Sequence, residues 1–318
     1  MLELLIIGGG PIGIAVGLAA KKKGLKYVII EKGPIVNSLY NYPDNMQFFS
    51  TSEKLEIENI PFISKNPKPT KPEALEYYRR IATSNELNIQ LFEEVLKVEK
   101  VENTYQVETS KGNYRAQNIV VATGFYDIPN LMNVPGENLP KVSHYYGNPH
   151  YYSGQKVIVV GASNSSVDAA LEIYRKGGEV TMVVRGESIG ERVKYWVKPD
   201  IENRIAEGSI QAIFNANITE VRPNEVDVQL KNGETKTLEN DFVLALTGYL
   251  PNFNFLEKIG VNLSEDGLKI PEYNPETMET NQKGIYLAGV ICGGKETHKW
   301  FIENSIIHAE LIINDITE

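Results

Sequence analysis

Three glycines at positions i, i+2 and i+5, Gly8, Gly10 and Gly13, form the part of this sequence best suited to chemistry. A glycine at the first position lets the chain turn sharply, at the second lets backbone approach a diphosphate, and at the third lets a helix lie close on a strand. The helix that starts there offers free N–H groups and the positive end of its dipole to phosphate. Glu31 falls where the tip of the next strand meets a ribose, and its carboxylate can accept from both hydroxyls of an adenosine. The chemistry implied is the binding of a dinucleotide.

A second run, Gly161-Ala162-Ser163-Asn164-Ser165-Ser166, is a variant with one glycine and three serines. Its strand-tip residue is Arg185, where an NAD site would carry an acid. A guanidinium there suits a ribose 2′-phosphate, because its planar fork makes bidentate contacts with phosphate, and Arg192 and Lys194 follow within reach. NADPH contacts are therefore expected at Gly161, Ser163, Asn164, Ser165, Ser166, Arg185 and Arg192, with Thr247 and Gly248 from a later crossing. Cys292 is the single cysteine, so no internal disulfide and no Cys-x-x-Cys pair can form. His298 is a candidate proton donor, whereas His144 and His150 read as structural. No metal site is expected.

These residues need two βαβ units to position them. Leu4 to Ile7 and Val157 to Val160 are short apolar runs that break at glycine, and each is followed by small residues of a helix. Each unit then re-enters an apolar run, Tyr27 to Ile30 and Val180 to Val184. Continuous apolar strands signal a parallel sheet buried on both faces. Val95 to Val101, Tyr105 to Thr109 and Ile119 to Val121 read as an antiparallel appendage and a return strand. Ile218 to Val221, Val226 to Leu230 and Phe242 to Leu246 repeat that pattern. Both halves end in Thr-Gly, at Thr123-Gly124 and Thr247-Gly248, which read as crossings between domains. A last strand at Gly284–Gly289 and a helix from about His298 to Ile316 have no sheet of their own in the second half, so they are expected to return to the first.

The chain has 318 residues, enough for two domains, with 42% hydrophobic and 23% charged residues. A formal charge of −9 argues against general binding to nucleic acid or anionic membrane. No signal peptide or membrane span is read from the sequence, and the cytoplasm is the expected compartment.

Two fingerprints, two Thr-Gly crossings and the terminal Gly-x-Tyr-x-x-Gly run resemble the thioredoxin-reductase-like flavoproteins over almost the whole chain. Within that group the sequence most resembles the bacillithiol-disulfide reductase (bacilliredoxin reductase) family. The closer match rests on Ser38-Leu39-Tyr40-Asn41-Tyr42-Pro43, Phe48-Phe49-Ser50, Leu139-Pro140-Lys141-Val142 with His144-Tyr145, and Phe301-Ile302-Glu303-Asn304. The resemblance implies an α/β fold of two Rossmann-like, three-layer ββα domains: a discontinuous FAD domain, 1–124 and 249–318, and an NADPH domain, 125–248. FAD contacts are then expected at Gly8, Gly10, Pro11, Ile12, Gly13, Glu31, Lys32, Tyr40, Val95, Thr123, Gly124, Gly289 and Val290. It further implies a homodimer or tetramer that reduces a low-molecular-weight disulfide.

Two departures stand out. The wider family ends its terminal strand in Gly-Asp, with the acid on the flavin's ribityl chain; here it is Gly289-Val290, as the narrower family implies. That narrower family is also expected to use one cysteine just after the first glycines, where this chain has Ile12. Cys292, in a loop expected near the flavin, is either a substitute thiol or a small buried residue. The N-terminus of the last helix, near Thr297 and His298, is expected to stabilise charge on the reduced ring. Without an active thiol, an NADPH-dependent ferredoxin, flavodoxin or quinone reductase is the alternative. A flavin monooxygenase fits less well, because Gly136 and His144 are wrongly spaced for its Phe-x-Gly-x-x-x-His pattern.

Overall fold

The computed structural model describes all residues, 1–318. In chain order the elements of the first stretch are β1 (Leu2–Ile7), α1 (Pro11–Lys22), β2 (Tyr27–Ile30), the single turn α2 (Asn37–Tyr40), α3 (Lys71–Ser84), β3 (Ile89–Gln90), β4 (Val95–Val101), β5 (Thr104–Thr109) and β6 (Asn113–Val121). There follow β7 (Ile128–Pro129), β8 (Val142–Ser143), β9 (Lys156–Val160), α4 (Asn164–Arg175), β10 (Glu179–Val184), α5 (Lys198–Ala206), β11 (Gln211–Phe214), β12 (Ala216–Val221), β13 (Glu225–Leu230), β14 (Thr235–Glu239), β15 (Phe242–Ala245) and β16 (Tyr249–Leu250). The chain closes with α6 (Phe253–Lys258), β17 (Ile285–Leu287), α7 (Ile302–Ser305) and α8 (Ile307–Thr317).

Two compact units result. One comprises Met1–Asn41, Met46–Ile128 and Tyr249–Glu318; the other comprises Tyr42–Asn45 and Pro129–Gly248. In the first unit, β1 lies between β2 and β6, all parallel, with β3 outside β2. Strand β6 does two jobs along one edge. Its first residues pair antiparallel with β5, and Ile119 to Val121 pair parallel with Ile285 to Leu287 of β17. The returning strand expected from the sequence therefore completes this sheet, and β6 is longer than its apolar end suggested because its polar start belongs to the β4–β5–β6 appendage. The central strands β1 and β2 are buried almost throughout, as the unbroken apolar runs require.

Helix α3 shows how local sequence fixes an element. Thr70 and Glu73 form a capping box, Glu73 Oε2 accepting from the Thr70 N–H at 2.7 Å, and Pro72 occupies the first turn. Ala74, Tyr77, Tyr78, Ile81 and Ala82 then line one buried face, on which Phe62 stacks against Tyr77 with ring centroids 4.2 Å apart.

In the second unit five parallel strands run in the order β11-β10-β9-β15-β8. Alternation assigns the two faces. Val157, Val159, Met182, Val184 and Leu244 join α4 and α5 residues such as Val167, Leu171 and Ile201 in one core. Ile158, Val183 and Val243 point the other way, into a core with Ile218, Val226 and Val228 of the antiparallel β12–β13–β14 sheet. Helices, parallel sheet and antiparallel sheet make three layers.

The C-terminal helix differs from expectation. Residues Thr297 to Phe301 form turns rather than helix, α7 starts at Ile302, and the Asn304 Oδ1 accepts from the Phe301 N–H at 2.7 Å. The buried stripe runs through Ser305, His308, Ala309, Ile312 and Ile313, leaving Ile302, Ile306 and Ile316 half-buried. Several isoleucines on both faces blurred the periodicity. No helix is long and apolar enough to cross a membrane.

Candidate dinucleotide-binding sites

The first glycine loop is built by close approach. Gly8 has φ +109°, and a β-carbon there would stand 2.5 Å from the Ala122 carbonyl oxygen. A β-carbon on Gly13 would stand 1.9 Å from the Gly8 oxygen, so that glycine sets how closely α1 lies on β1. Gly10 has nothing within 4 Å of the equivalent position: its face is open. Pro11 opens α1 without an N–H to satisfy, and no side chain caps the first turn. Unused helix N–H groups behind an open glycine form a cradle of the kind that accepts a diphosphate.

At the tip of β2, Glu31 is buried and each of its oxygens accepts one backbone N–H, from Gly9 at 2.7 Å and Gly33 at 2.9 Å. Burial raises its pKa above the ordinary carboxylate value, and these two bonds oppose the rise. Each oxygen keeps a second lone pair for a ribose hydroxyl. Lys32 is partly exposed and ion-paired with Asp127 at 2.8 Å. Tyr40 is largely exposed, with the Lys71 ammonium 5.9 Å from its ring centroid, and Val95 is half-buried at the start of β4. On the crossing, the Thr123 hydroxyl is buried without a hydrogen-bond partner, beside Gly124 at φ +69°. An orphaned buried hydroxyl is a vacancy for a ligand acceptor or donor.

The second loop repeats this geometry with different chemistry. Gly161 has φ +127°, and a β-carbon would stand 2.7 Å from the Leu246 oxygen, the residue before Thr247-Gly248 just as Ala122 precedes Thr123-Gly124. Ser163 is the N-cap of α4 and uses no side-chain bond for it. Ser166 takes the packing position of Gly13: it is fully buried and its hydroxyl donates to the Ser163 carbonyl at 2.9 Å, so it is not a phosphate donor. Asn164 is also committed, accepting from the Lys194 N–H at 2.8 Å and donating to the Arg192 carbonyl at 3.2 Å. Lys194 is buried in an ion pair with Asp168 at 2.7 Å, which removes it from any 2′-phosphate site. Arg185, at the tip of β10, and Arg192 are exposed. The Thr247 hydroxyl donates to the Asn130 carbonyl at 2.5 Å.

A third loop follows β17. Gly289 has φ +86°, and a β-carbon there would stand 3.3 Å from Ile12 Cγ1, which seats the loop on the first residues of α1. The Gly289 N–H donates to His308 Nδ1 at 3.1 Å. His308 is buried, its ring meets Trp300 edge-on at 4.6 Å, and burial lowers its pKa to about 4, so it acts as a neutral acceptor. The Tyr286 hydroxyl donates to Asp315 at 2.6 Å, a second tie between β17 and α8. Cys292 is fully buried and burial pushes its thiol pKa well up. That is the setting of a packed small residue and not of a thiolate nucleophile. His298 lies exposed in a turn and not at a helix start, which overturns the expected helix-dipole role of Thr297 and His298. Val290 is half-buried beside Gly289.

The family model for pyridine nucleotide-disulphide oxidoreductases matches residues 5–289. Bacilliredoxin reductase Bdr of Bacillus subtilis is 44% identical over 99% of this chain and 98% of its own length. The chain belongs to the bacilliredoxin reductase family. The structure of bacillithiol disulfide reductase Bdr (YpdA) from Bacillus cereus, also 44% identical, superposes with a TM-score of 0.96 over 99% of this chain and 98% of that one. Thioredoxin reductase of T. acidophilum, 20% identical with a TM-score of 0.77 over 100% of this chain and 99% of that one, shares the fold.

As a member of that family the protein is an FAD-dependent oxidoreductase that uses NADPH as electron donor. The residues present fit such groups: an open Gly10 before an uncapped helix, an orphaned Thr123 hydroxyl, an exposed Arg185 at the second strand tip and an exposed Arg192 in the loop after it. The structure brings Gly8, Gly10, Gly13, Glu31 and Thr123 around one loop, with Gly289 packed on Ile12. His308 was missed by sequence reasoning. Its only signal was its place three residues past Ser305 and one before Ala309, on a stripe that becomes clear once the helix start is known.

Proposed function

We propose that this protein transfers reducing equivalents from NADPH, through FAD, to a low-molecular-weight disulfide of the bacillithiol type. The observation that carries the reading is full-length similarity to a bacilliredoxin reductase together with two nucleotide loops, each backed by an uncapped helix. FAD is assigned to residues 1–124 and 249–318 and NADPH to 125–248. FAD supplies the two-electron relay between the nucleotide and the acceptor.

The chain's own residues supply placement. The α1 N–H groups and the open Gly10 would hold a diphosphate, Glu31 would accept from ribose hydroxyls, and the unpartnered Thr123 hydroxyl would hydrogen-bond the bound FAD. Arg185 and Arg192 grip the 2′-phosphate, which selects NADPH over NADH. The protein works in the cytoplasm as a homodimer or tetramer. An NADPH reductase for ferredoxin, flavodoxin or quinone is the rival reading because it needs no thiol, and Ile12 and the buried Cys292 offer none; the full-length similarity to a bacilliredoxin reductase weighs against it.

Anaerobic NADPH should bleach the flavin, and stopped-flow reoxidation should then be fastest with bacillithiol disulfide among that disulfide, oxygen, a quinone and flavodoxin. Faster reoxidation by quinone or flavodoxin, with no thiol released from the disulfide, sinks the disulfide reading.

A further inference from the structure

The start of α4 is bolted to the loop that follows β10. Asn164, the first residue of that helix, spends both ends of its carboxamide on one short stretch of the loop. Its Oδ1 accepts from the Lys194 N–H at 2.8 Å, and its Nδ2 donates to the Arg192 carbonyl at 3.2 Å. One helical turn on, Asp168 Oδ2 accepts from the Lys194 ammonium at 2.7 Å, and the lysine side chain is only 10% exposed. The earlier part of the loop is fixed too. The Gly190 N–H donates to the Ala162 carbonyl at 2.9 Å, and a β-carbon on Gly190 would stand 2.8 Å from that oxygen. Ile189 and Val193 bury their side chains in the same core as Val167 and Leu171 of α4. Loop and helix start form one braced piece.

The brace leaves Arg192 outside. Val193 beside it is buried, and Glu191 on its other side is exposed. A loop that carries a carboxylate next to a guanidinium attracts or repels a phosphate according to its register, since a like charge costs what an opposite charge gains. The 2′-phosphate of a nucleotide also lies at a bond-limited distance from its diphosphate. An arginine therefore recognises it best when its segment is already fixed on the helix whose N-terminus takes the diphosphate.

We propose that Asn164, Asp168 and Lys194 are positioning residues for nucleotide selectivity, which act by holding Arg192 where the 2′-phosphate comes and touch no part of the nucleotide themselves. The inference rests on the 2′-phosphate reading of Arg192 above and specifies what makes that arginine effective. Asn164 is the decisive member, because its carboxamide pairs with the two peptide groups that flank Val193. Asp168 holds the Lys194 side chain, and so the end of the segment, against α4. NADH has no 2′-phosphate and gains nothing from the brace.

The test uses the FAD-loaded protein and the variants Asn164→Ala, Asp168→Asn, Arg192→Ala and the Asn164→Ala/Arg192→Ala double. Calorimetric titration with adenosine 2′,5′-bisphosphate reads phosphate recognition without turnover. Anaerobic flavin bleaching at rising NADPH and NADH reads half-saturation and limiting rate separately. Asn164→Ala should weaken the bisphosphate and NADPH about fivefold and Asp168→Asn, which keeps an acceptor for the ammonium, about twofold. Half-saturation by NADH and the limiting bleaching rate should stay within about twofold of wild type. The double variant should bind the bisphosphate no more weakly than Arg192→Ala alone, as residues acting through that arginine require. Equal weakening of NADPH and NADH in both brace variants, or losses that add in full in the double variant, overturns the proposal. An Arg192→Ala protein that keeps its NADPH preference overturns the reading of that arginine instead. A selective loss in Arg192→Ala beside no loss in Asn164→Ala overturns the brace alone.

Discussion

The two glycine loops repeat one backbone and differ in how much of their polar chemistry is left over. Each has a glycine at positive φ whose missing side chain lets it approach the carbonyl just before a Thr-Gly crossing, and each is followed by a helix with no side-chain cap. In the first loop Gly13 packs the helix and the Thr123 hydroxyl is buried and unused. In the second, Ser166 packs the helix, Thr247 is bonded to Asn130, and Asn164 is bound to the 192–194 segment. The supports also differ. A neutral histidine holds the loop seated on the first, and a buried Lys194–Asp168 ion pair braces the second. The lesson is that backbone repeats keep the binding cradle, while side-chain commitments decide which positions remain for a ligand.

The largest test of this contrast is the packing position. Gly13→Ala puts a methyl against a backbone oxygen that cannot swing aside, a cost of about 3 kcal/mol or more, and purified protein should lose its flavin. Ser166→Ala removes one internal bond, at about 1 kcal/mol, and should keep the fold. Thermal melts and flavin content measure both, and equal losses would erase the distinction between the two loops.

The histidine support comes next. His308 has an ordinary value of 6.5 lowered to about 4, so below pH 6.5 the unfolded chain takes a proton that the folded chain refuses. Its contribution is whole above pH 6.5 and is lost by up to roughly 3 kcal/mol as the pH falls to about 4. Denaturant melts at pH 7 and pH 4.5 should show a smaller acid loss in His308→Gln than in wild type.

Much of this architecture was legible beforehand. Both βαβ units, the strand-tip positions of Glu31 and Arg185, and the return of the last strand to the first sheet followed from apolar runs broken by glycine. The βαβ signals are local, each within a unit of about 30 residues, whereas the return of the last strand was read from its having no sheet of its own nearby. What escaped was the choice of partner. Lys194 looked free until α4 presented Asp168, 26 residues away, and the two Thr-Gly dipeptides looked equivalent until Asn130 reached Thr247 and nothing reached Thr123. The start of the last helix was misplaced because Ile302, Ile306 and Ile307 give apolar matches on every face.

Arg185→Ala should raise the KM for NADPH about tenfold while leaving that for NADH nearly unchanged, read from steady-state kinetics with both nucleotides. Thr123→Val should weaken FAD binding about fivefold in titrations of the apoprotein, near 1 kcal/mol. Thr247→Val, whose hydroxyl serves the chain itself, should leave FAD affinity untouched.

Strand β6 has one further consequence, for the order in which the protein is made. Its final residues pair with β17, which lies 164 residues further along, from Val121 to Ile285. While the ribosome extends the chain, every strand of the Pro129–Gly248 unit is complete before the first sheet receives its last member. Synthesis runs at about 5–20 residues per second, so the exposed edge of β6 waits on the order of ten seconds or more for its partner. During that interval Ile119, Val120 and Val121 present an apolar, unpaired strand edge, the segment of the nascent chain that a chaperone has most reason to hold.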